Sequence, residues 1–362
     1  MLKVKIRMMV LMLFKTAYFS ETFFFMKIIY LLPLEKESNM EKSKKYAYVT
    51  FVMRNDSYIP GALVLAYCLQ KQYTSADLVC LITDDITKKG KEALGSLYDH
   101  VVLVDEIFVE HRNSHQRQDR PYLFTRFQAL CLGEDGGLGF DYDKIVVLDA
   151  DIMPLCNYDE LFDLETPAGI INESKDHFVP ELPYNRSDGK WVWHDIYEGI
   201  CRHGERIPSE ITDRVWENPD NMGVNACIWV LTPDRKEYGR IMEYLRKPVV
   251  KNKISQFKWP EMQFATFFWS GQWYNIDLRY SAFNCQPRMD LIYGTHFAGL
   301  KPWNEKKKKS VLHYYKYEDY RAWYREFVEM VKWVYPSLSS LPRIRRILNF
   351  YERKLDVISN GE

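Results

Sequence analysis

The sequence of 362 residues has no excess of charge of either sign, because 49 lysines and arginines balance 49 aspartates and glutamates. Proteins that bind nucleic acid normally carry a basic excess, so no nucleic-acid partner is expected. Cysteine is scarce: the seven cysteines include no Cys-x-x-Cys pair and no zinc-ligand spacing. These absences disfavour a disulfide scaffold, and a reducing, cytoplasmic compartment fits the sequence best.

The sequence also lacks a long uninterrupted apolar run. Its amino terminus is apolar, but Lys15, Glu21 and Lys27 divide it into pieces shorter than the roughly 20 residues of a membrane-spanning helix. No small-residue cleavage site of the kind that ends a signal peptide follows. We therefore expect residues 1–45 to be a poorly ordered N-terminal extension and not a membrane anchor, with Met40 as an alternative start to Met1.

Aromatic residues, in contrast, are abundant: 25 Tyr, 20 Phe and 10 Trp. This surplus suits either a rich core or surfaces that stack on sugar rings. From Tyr46 the pattern alternates, with strands predicted at 46–53, 78–82, 101–104, 144–148, 225–231 and 273–277, and helices at 61–69, 88–97, 123–132, 234–245 and from 320 onward. This order predicts an α/β fold with a doubly wound sheet, whose ligand site lies beyond the carboxyl ends of the strands.

Two carboxylates, Asp149 and Asp151, follow directly after the buried-type strand 144–148. One residue apart at a strand end, they can converge on a hard cation such as Mg²⁺ or Mn²⁺, which keeps substrate phosphates among its ligands. The alternative is a pair that caps a turn. Asp84 and Asp85 also follow an apolar strand, but no second set of ligands accompanies them, and we interpret them as a turn.

A second cluster lies near the end of the sequence, where His296 precedes Gly299 and Lys301 at short spacings. A lone histidine is more often a core or surface residue than a ligand. Here, however, the imidazole can supply the third ligand of a Mn²⁺ site. A glycine allows backbone to approach a phosphate, and a lysine neutralises it.

Four blocks in this order resemble glycosyltransferase family 8, the group of glycogenin and galactinol synthase. They are VT with NDSY and GALVL between 49 and 65, RP with TRF between 120 and 127, DKIVVLDADI at 143–152, and HFAGLKPW at 296–303. The resemblance implies a GT-A fold with a Rossmann-like, doubly wound mixed sheet in a single domain at 46–305. Residues 306–362 would then form a helical C-terminal extension.

The resemblance also implies a function, the metal-dependent, retaining transfer of a hexose from a UDP-sugar to a hydroxyl acceptor. The hexose would be glucose or galactose, and the acceptor a carbohydrate, a polyol or a protein. Mn²⁺ or Mg²⁺ would be held by Asp149, Asp151 and His296. The nucleotide sugar would contact Thr50, Tyr58, Arg126, Asp149, Ala150, Asp151, Gly299 and Lys301. The oligomeric state stays open, a homodimer included.

Two positions depart from the family pattern. Cys227 stands where the family commonly has glycine, two residues after Asn225, and we still expect Asn225 to touch the donor sugar. The family's Asp-Gln pair is replaced by Glu261-Met262-Gln263, so either Glu261 or Gln263 is expected against the reacting carbon. The candidate catalytic residues are Glu261, Gln263, Asn225 and Arg126.

Two further functions stay open. A glycogenin-like protein glucosylates one of its own tyrosines, and Tyr280 and Tyr293 are available upstream of His296. A lectin-like module without catalysis would explain the aromatic residues but not the set of carboxylates, histidine and lysine. Residues 173–219 read as long loops that select the acceptor, and their tryptophans, Trp191, Trp193 and Trp216, would stack on its sugar rings.

Overall fold

The computed structural model describes residues 44–111, 118–171, 201–219, 221–284 and 289–355, and from Lys45 onward these form one unit with its own core. The strands of its main sheet are β1 Tyr46–Val52, β2 Asp77–Ile82, β3 His100–Leu103, β4 Lys144–Leu148, β6 Ala168–Ile171, β7 Val224–Leu231 and β8 Tyr274–Asn275. A smaller sheet contains β5 Ile152–Pro154, β9 Ala282–Phe283 and β10 Gly294–His296.

The α-helices of the described residues surround these sheets. They are α1 Ile59–Lys71, α2 Lys88–Leu94, α3 Ser209–Glu217, α4 Arg235–Arg246, α5 Pro248–Ile254, α6 Pro260–Phe268, α7 Lys308–Tyr314, α8 Glu318–Glu329 and α9 Pro342–Phe350. The predicted helix at 123–132 lies within a 3₁₀ helix, Arg120–Leu132. The last predicted strand, 273–277, is reduced to the two residues of β8.

The main sheet has the strand order β3-β2-β1-β4-β7-β6-β8. Strands β3, β2, β1 and β4 run parallel, whereas β7 is antiparallel to both of its neighbours. The strand order reverses between β1 and β4, and in such a sheet the crevice at that point is where ligands bind. The structure thus confirms the doubly wound mixed sheet, and it places the ends of β1 and β4 at the expected ligand site.

The smaller sheet joins two distant parts of the chain. Strand β5 begins directly after Asp151, and β10 pairs with it antiparallel, so that His296 lies opposite Ile152. Just beyond, the backbone N–H of Phe297 donates to the carbonyl oxygen of Asp151 at 2.9 Å. This pairing fixes His296 beside the second carboxylate of the loop that follows β4.

Helix α1 packs closely against that loop. A Cβ atom at Gly61 would lie 2.3 Å from the carbonyl oxygen of Ala150, closer than any side chain allows. Only glycine therefore lets α1 approach the backbone that carries Asp149 and Asp151.

Helix α8 covers the segment 297–303. The hydroxyl of Tyr324 donates to the carbonyl oxygen of Pro302 at 2.7 Å, and the rings of Trp323 and Trp303 lie 5.4 Å apart. Thr295 donates to the buried Asp319 at 3.4 Å. Residues beyond 305 therefore pack directly on the part of the chain that carries Lys301.

No helix in the described residues is long and apolar enough to cross a membrane.

Candidate active site

A cavity of about 440 Å³ opens where the carboxyl ends of β1 and β4 meet. Its volume falls in the range of roughly 300–1,000 Å³ that small-molecule sites occupy. The lining comes from the loop after β1, the 3₁₀ helix, the loop after β4, the starts of β7 and α6, and the loop after β10. Its charged and polar members include Arg54, Asn55, Ser57, Asp119, Arg126, Asp149, Asp151, Asn225, Glu261, His296 and Lys301.

Asp149, Asp151 and His296 converge at one side of this cavity, with one ligand atom of each lying within 4.8 Å of the others. Asp151 and His296 are buried, and the side chain of Asp149 is 31% exposed. Oδ1 of Asp151 lies 3.3 Å from Nε2 of His296, yet neither this oxygen nor Nδ1 of His296 hydrogen-bonds to any described residue. Two carboxylates and an imidazole with polar atoms left unpaired suit Mn²⁺ or Mg²⁺, so the residues fit the expected metal.

Lys301 lies against the same cluster, where its ammonium group donates to Oδ2 of Asp151 and to the carbonyl oxygen of Phe297. Burial alone would raise the pKa of Asp151, but Lys301 and His296 overcome this effect and hold that pKa well below its ordinary value. Burial opposes the charged form of His296, yet Asp151 raises the pKa of this imidazole to about 10. Because a metal ligand must be neutral imidazole, metal binding here would release a proton.

Arg126 and Glu261 form the inner wall. The guanidinium of Arg126 donates to Oδ1 of Asp149 at 2.8 Å and lies over the ring of Trp229 at 5.2 Å. Burial raises the pKa of Glu261, and Arg126 partly offsets that shift. Nε of Arg126 and Oε2 of Glu261 are buried without a hydrogen-bond partner among the described residues. A buried donor and a buried acceptor left unpaired are suited to a polar ligand such as a sugar hydroxyl.

The model of the family described as Glycosyl transferase family 8 matches residues 49–323. The chain belongs to glycosyltransferase family 8. It is accordingly a glycosyltransferase enzyme, and the expectation drawn from the four sequence blocks is confirmed.

The chain covers most of one relative of this family 8 enzyme but only a minor part of another. Uncharacterized protein R707 of Acanthamoeba polyphaga mimivirus is 30% identical over 270 residues, which make up 72% of this chain and 83% of the viral protein. UDP-glucuronate:xylan alpha-glucuronosyltransferase 2 of Arabidopsis thaliana is 26% identical over 280 residues, 74% of this chain but only 37% of the plant protein. The chain therefore spans well under half the length of the plant relative.

Among solved structures, the galactosyltransferase LgtC in complex with donor and acceptor sugar analogs aligns with a TM-score of 0.51 at 12% sequence identity. The alignment covers 83% of this chain and 99% of that one. At this level of identity the likeness shows the fold, which is the expected GT-A fold.

Several residues predicted for the nucleotide sugar line the cavity of this family 8 enzyme. Tyr58, Ala150 and Asn225 do so together with the metal-site cluster. The ring of Tyr58 lies edge-to-face with Trp303 at 6.0 Å, and Lys301 Nζ is 5.8 Å from its centroid. Their contacts with a donor stay predictions.

Gly299 lies in open space at the surface. The nearest atom to a Cβ added there would be Oδ1 of Asn284, at 4.0 Å. No packing contact with a described residue requires glycine at this position, and the approach of a ligand to its backbone stays a prediction.

The structure does not bring Thr50 or Gln263 to the cavity, which corrects two expectations. Thr50 is buried, and its hydroxyl donates to the carbonyl oxygen of Leu148 at 2.8 Å, where it joins β1 to β4. Gln263 is fully buried, and both polar atoms of its side-chain amide hydrogen-bond to backbone groups of the protein. The oxygen accepts from the N–H groups of Lys258 and Trp259, and the nitrogen donates to the carbonyls of Pro219 and Asn221. Of the two alternatives for the reacting carbon, only Glu261 lines the cavity.

The tyrosines proposed as self-glucosylation sites do not line the cavity either. Tyr280 is buried and its hydroxyl donates to Glu160. Tyr293 packs between the ring of Tyr280, at 5.0 Å, and the guanidinium of Arg279, at 4.7 Å. A hydroxyl in either place is not presented to the site.

Trp216 also lies elsewhere, since it packs against Phe267 of α6 at 4.7 Å between ring centroids. Trp191 and Trp193 lie outside the described residues. Trp259 does line the cavity, together with Arg54 and Tyr122. None of these three residues is predicted from the sequence. The position of Trp259, just before the Pro260 that opens α6 and two residues before Glu261, was the available signal.

Proposed function

We propose that the chain transfers a hexose, glucose or galactose, from a UDP-sugar to a hydroxyl acceptor with retention of configuration, using Mn²⁺ or Mg²⁺. The observation that supports this most directly is the convergence of Asp149, Asp151 and His296 beside Lys301 in the cavity at the β1/β4 crevice. A dication and a lysine together can neutralise the negatively charged diphosphate of a nucleotide sugar.

Asp149, Asp151 and His296 would hold the ion. When bound, it supplies Lewis-acid stabilisation of the negative charge that develops on the departing diphosphate. Lys301 adds a second positive charge at the same place. Arg126 anchors Asp149, and Asn225 and Glu261 face the space left for the sugar.

Retention then follows from attack on the same face from which the diphosphate leaves. The acceptor oxygen bonds to the anomeric carbon as the carbon–oxygen bond to the phosphate breaks, and the hydroxyl proton passes to the leaving phosphate. Burial raises the pKa of Glu261, which favours the neutral acid over the carboxylate that a nucleophile requires. Asp149 and Asp151 belong to the metal set. Front-face transfer is therefore preferred to a covalent intermediate.

The acceptor is a carbohydrate, a polyol or a protein. Since Tyr280 is buried and Tyr293 packs away from the cavity, transfer to a separate acceptor is preferred to self-glucosylation. In a mass spectrum taken after incubation with donor alone, the peptides with these tyrosines should carry no sugar.

The variant Asp151→Asn tests the proposal. We expect it to lose manganese-dependent hydrolysis of UDP-glucose and UDP-galactose by at least about 100-fold, because the metal loses one ligand. The loss of a buried charge also leaves Lys301 and His296 unpaired, so Asp149→Asn, at a more exposed ligand, provides a second variant.

Asp84→Asn is the matched control. Asp84 lies in a turn, as predicted, and its side chain is 92% exposed, so activity and metal dependence should stay unchanged. The proposal fails if the wild-type protein turns over no UDP-hexose with Mn²⁺ or Mg²⁺, or if both metal-site variants keep full activity.

A further inference from the structure

Arg54 has an unusual backbone conformation at the edge of the cavity. It lies two residues after the end of β1, and its φ of 68° makes it one of two non-glycine residues with positive φ among the described residues. The N–H of Asn55 donates to the carbonyl oxygen of Met53 at 2.8 Å, which closes a three-residue turn around Arg54. Such a turn with positive φ at its centre is the rarer, strained form, and glycine would adopt it without strain.

The other residue with positive φ, Tyr73, has an ordinary explanation. It lies just after α1, where a left-handed residue commonly ends a helix, and its side chain is mostly exposed, at 63%. No helix ends at Arg54. Strained residues cluster at ligand sites. The strain at Arg54 is therefore best explained by a function of its side chain.

The side chain of Arg54 lines the cavity in a fixed orientation. Its guanidinium lies over the ring of Tyr122 with its central carbon 3.9 Å from the centroid, and Nη1 pairs with Glu106 at 3.1 Å. No described residue accepts a hydrogen bond from its Nε or Nη2. A planar cation held by one aromatic face and one carboxylate, with donors left over, is preorganised for a ligand.

The strand order of the main sheet indicates which part of the nucleotide sugar Arg54 contacts. Arg54 lies on the β2 side of β1: its N–H donates to Thr83, which follows β2, and Glu106 follows β3. Asp151 lies on the other side of β1, after β4, and Lys301 from the loop after β10 pairs with it. Glu261 lies farther still, in helix α6, which packs on β7. In a nucleotide sugar the diphosphate lies between the nucleoside and the sugar. If the diphosphate lies at Lys301 and the sugar at Glu261, the nucleoside therefore lies at Arg54.

We propose that Arg54 binds the uridine end of the donor and that its strained backbone is retained to aim the guanidinium there. This inference rests on the proposed function, since it takes the donor to be a UDP-sugar. The leftover N–H groups donate to the carbonyl oxygens of the base or to the ribose hydroxyls, while Tyr122 keeps the guanidinium plane in place. Arg54 is then a binding residue and takes no part in proton transfer.

The test uses Arg54→Gly in the full chain with Mn²⁺ and measures inhibition of UDP-sugar hydrolysis by uridine, UMP and UDP. We expect all three inhibition constants to rise by the same factor, about tenfold, because the lost hydrogen bonds concern the nucleoside that the three share. Glycine relaxes the turn, so thermal unfolding should show no loss of stability comparable to that of a core variant. Tyr73→Gly makes the same backbone change outside the cavity and should leave every inhibition constant unchanged.

The possible results separate the two proposals. If the wild type is inhibited by UDP and Arg54→Gly has unchanged constants for uridine, this inference is wrong while the proposed donor stands. A loss seen with UDP alone would make Arg54 a phosphate ligand and would equally overturn it. If UDP does not inhibit the wild-type protein, the proposed donor is wrong and the inference falls with it.

Discussion

Glu261 shows how one buried residue combines a cost in stability with a place in the site. It lies in the first turn of α6, faces the cavity, and has one carboxylate oxygen without a partner among the described residues. Burial favours its neutral form, and Arg126 compensates only in part. The native protein therefore binds a proton at this carboxyl group more readily than the unfolded chain does.

The variant Glu261→Gln makes this cost measurable. Because the folded-state pKa is raised above the ordinary 4.5, the contribution of Glu261 to stability is present below that pH and is lost as the pH rises through the raised value. Glutamine is neutral throughout, so the free energy of unfolding of the variant should rise relative to that of the wild type across this window. Urea unfolding at a series of pH values measures it. If Glu261 hydrogen-bonds to the sugar as proposed, transfer activity should fall by about tenfold or more.

Gln263→Leu serves as the control two residues away. It removes four hydrogen bonds to backbone groups, so we expect a loss of about 2–4 kcal/mol in the free energy of unfolding that does not depend on pH. Equal pH dependence in both variants would contradict the assignment of the shift to Glu261.

The sequence is a good guide to some residues of the site and a poor guide to others. Asp149, Asp151, His296 and Lys301 stand in compact motifs, and the structure brings them together. Thr50 turns inward because its hydroxyl meets the Leu148 carbonyl of a neighbouring strand, and a single sequence does not encode which strand that is. The same holds for Gln263 and for the φ of Arg54, since both depend on tertiary neighbours.

At the level of elements, α8 supports the site without lining it. Its tyrosine and tryptophan side chains hold the backbone of the segment 297–303, which carries Lys301. From the sequence, this region is predicted to belong to an extension beginning at 306. Helix α8 packs on the segment 297–303 through side chains that lie outside the sequence motifs, so the motifs do not predict this contact.

Tyr324→Phe tests this support. The change leaves the carbonyl of Pro302 without its partner, so we expect a loss of about 1 kcal/mol in stability. The KM for the donor should rise a few-fold with little change in kcat, since the segment positions a binding group. Steady-state kinetics and thermal unfolding measure the two effects.

Tyr335→Phe is the matched control, because it removes a hydroxyl that donates to Gln70 at 2.9 Å, away from that segment. It should cost similar stability and leave the KM unchanged. If both variants raise the KM alike, α8 has no specific effect on the site.

The elements found from the sequence are those with their own pattern. Strands β1, β2, β4 and β7 are mostly apolar, and α4 shows the helical period. Strands β9 and β10 have two and three residues and exist only through their partners. Helix α6 was missed because its first seven residues are all buried, so no polar face marks its period.

At the scale of the whole molecule, the described unit is organised from Tyr46 onward. Its first element, β1, lies inside the main sheet with β2 on one side and β4 on the other. Both of its edges are paired within the described residues.

We therefore predict that a chain starting at Met40 folds and transfers sugar as the full chain does. Its midpoint of thermal unfolding should agree with that of the full chain within about 1 °C, and its kcat/KM for the donor should be unchanged. The comparison needs only thermal unfolding and donor hydrolysis on the two proteins. A marked loss of either quantity would show that residues 1–39 contribute to the enzyme.

The antiparallel pairing of β10 with β5 has a consequence for biosynthesis. Asp149 and Asp151 are synthesised in the first half of the chain, whereas His296 follows Asp151 only 145 residues later and Lys301 comes after it. A nascent chain that has already formed β1 to β4 still lacks the imidazole that closes the site. If metal and donor bind as proposed, the enzyme acquires its affinity for them only when synthesis has passed residue 301, and incomplete chains do not compete for the donor.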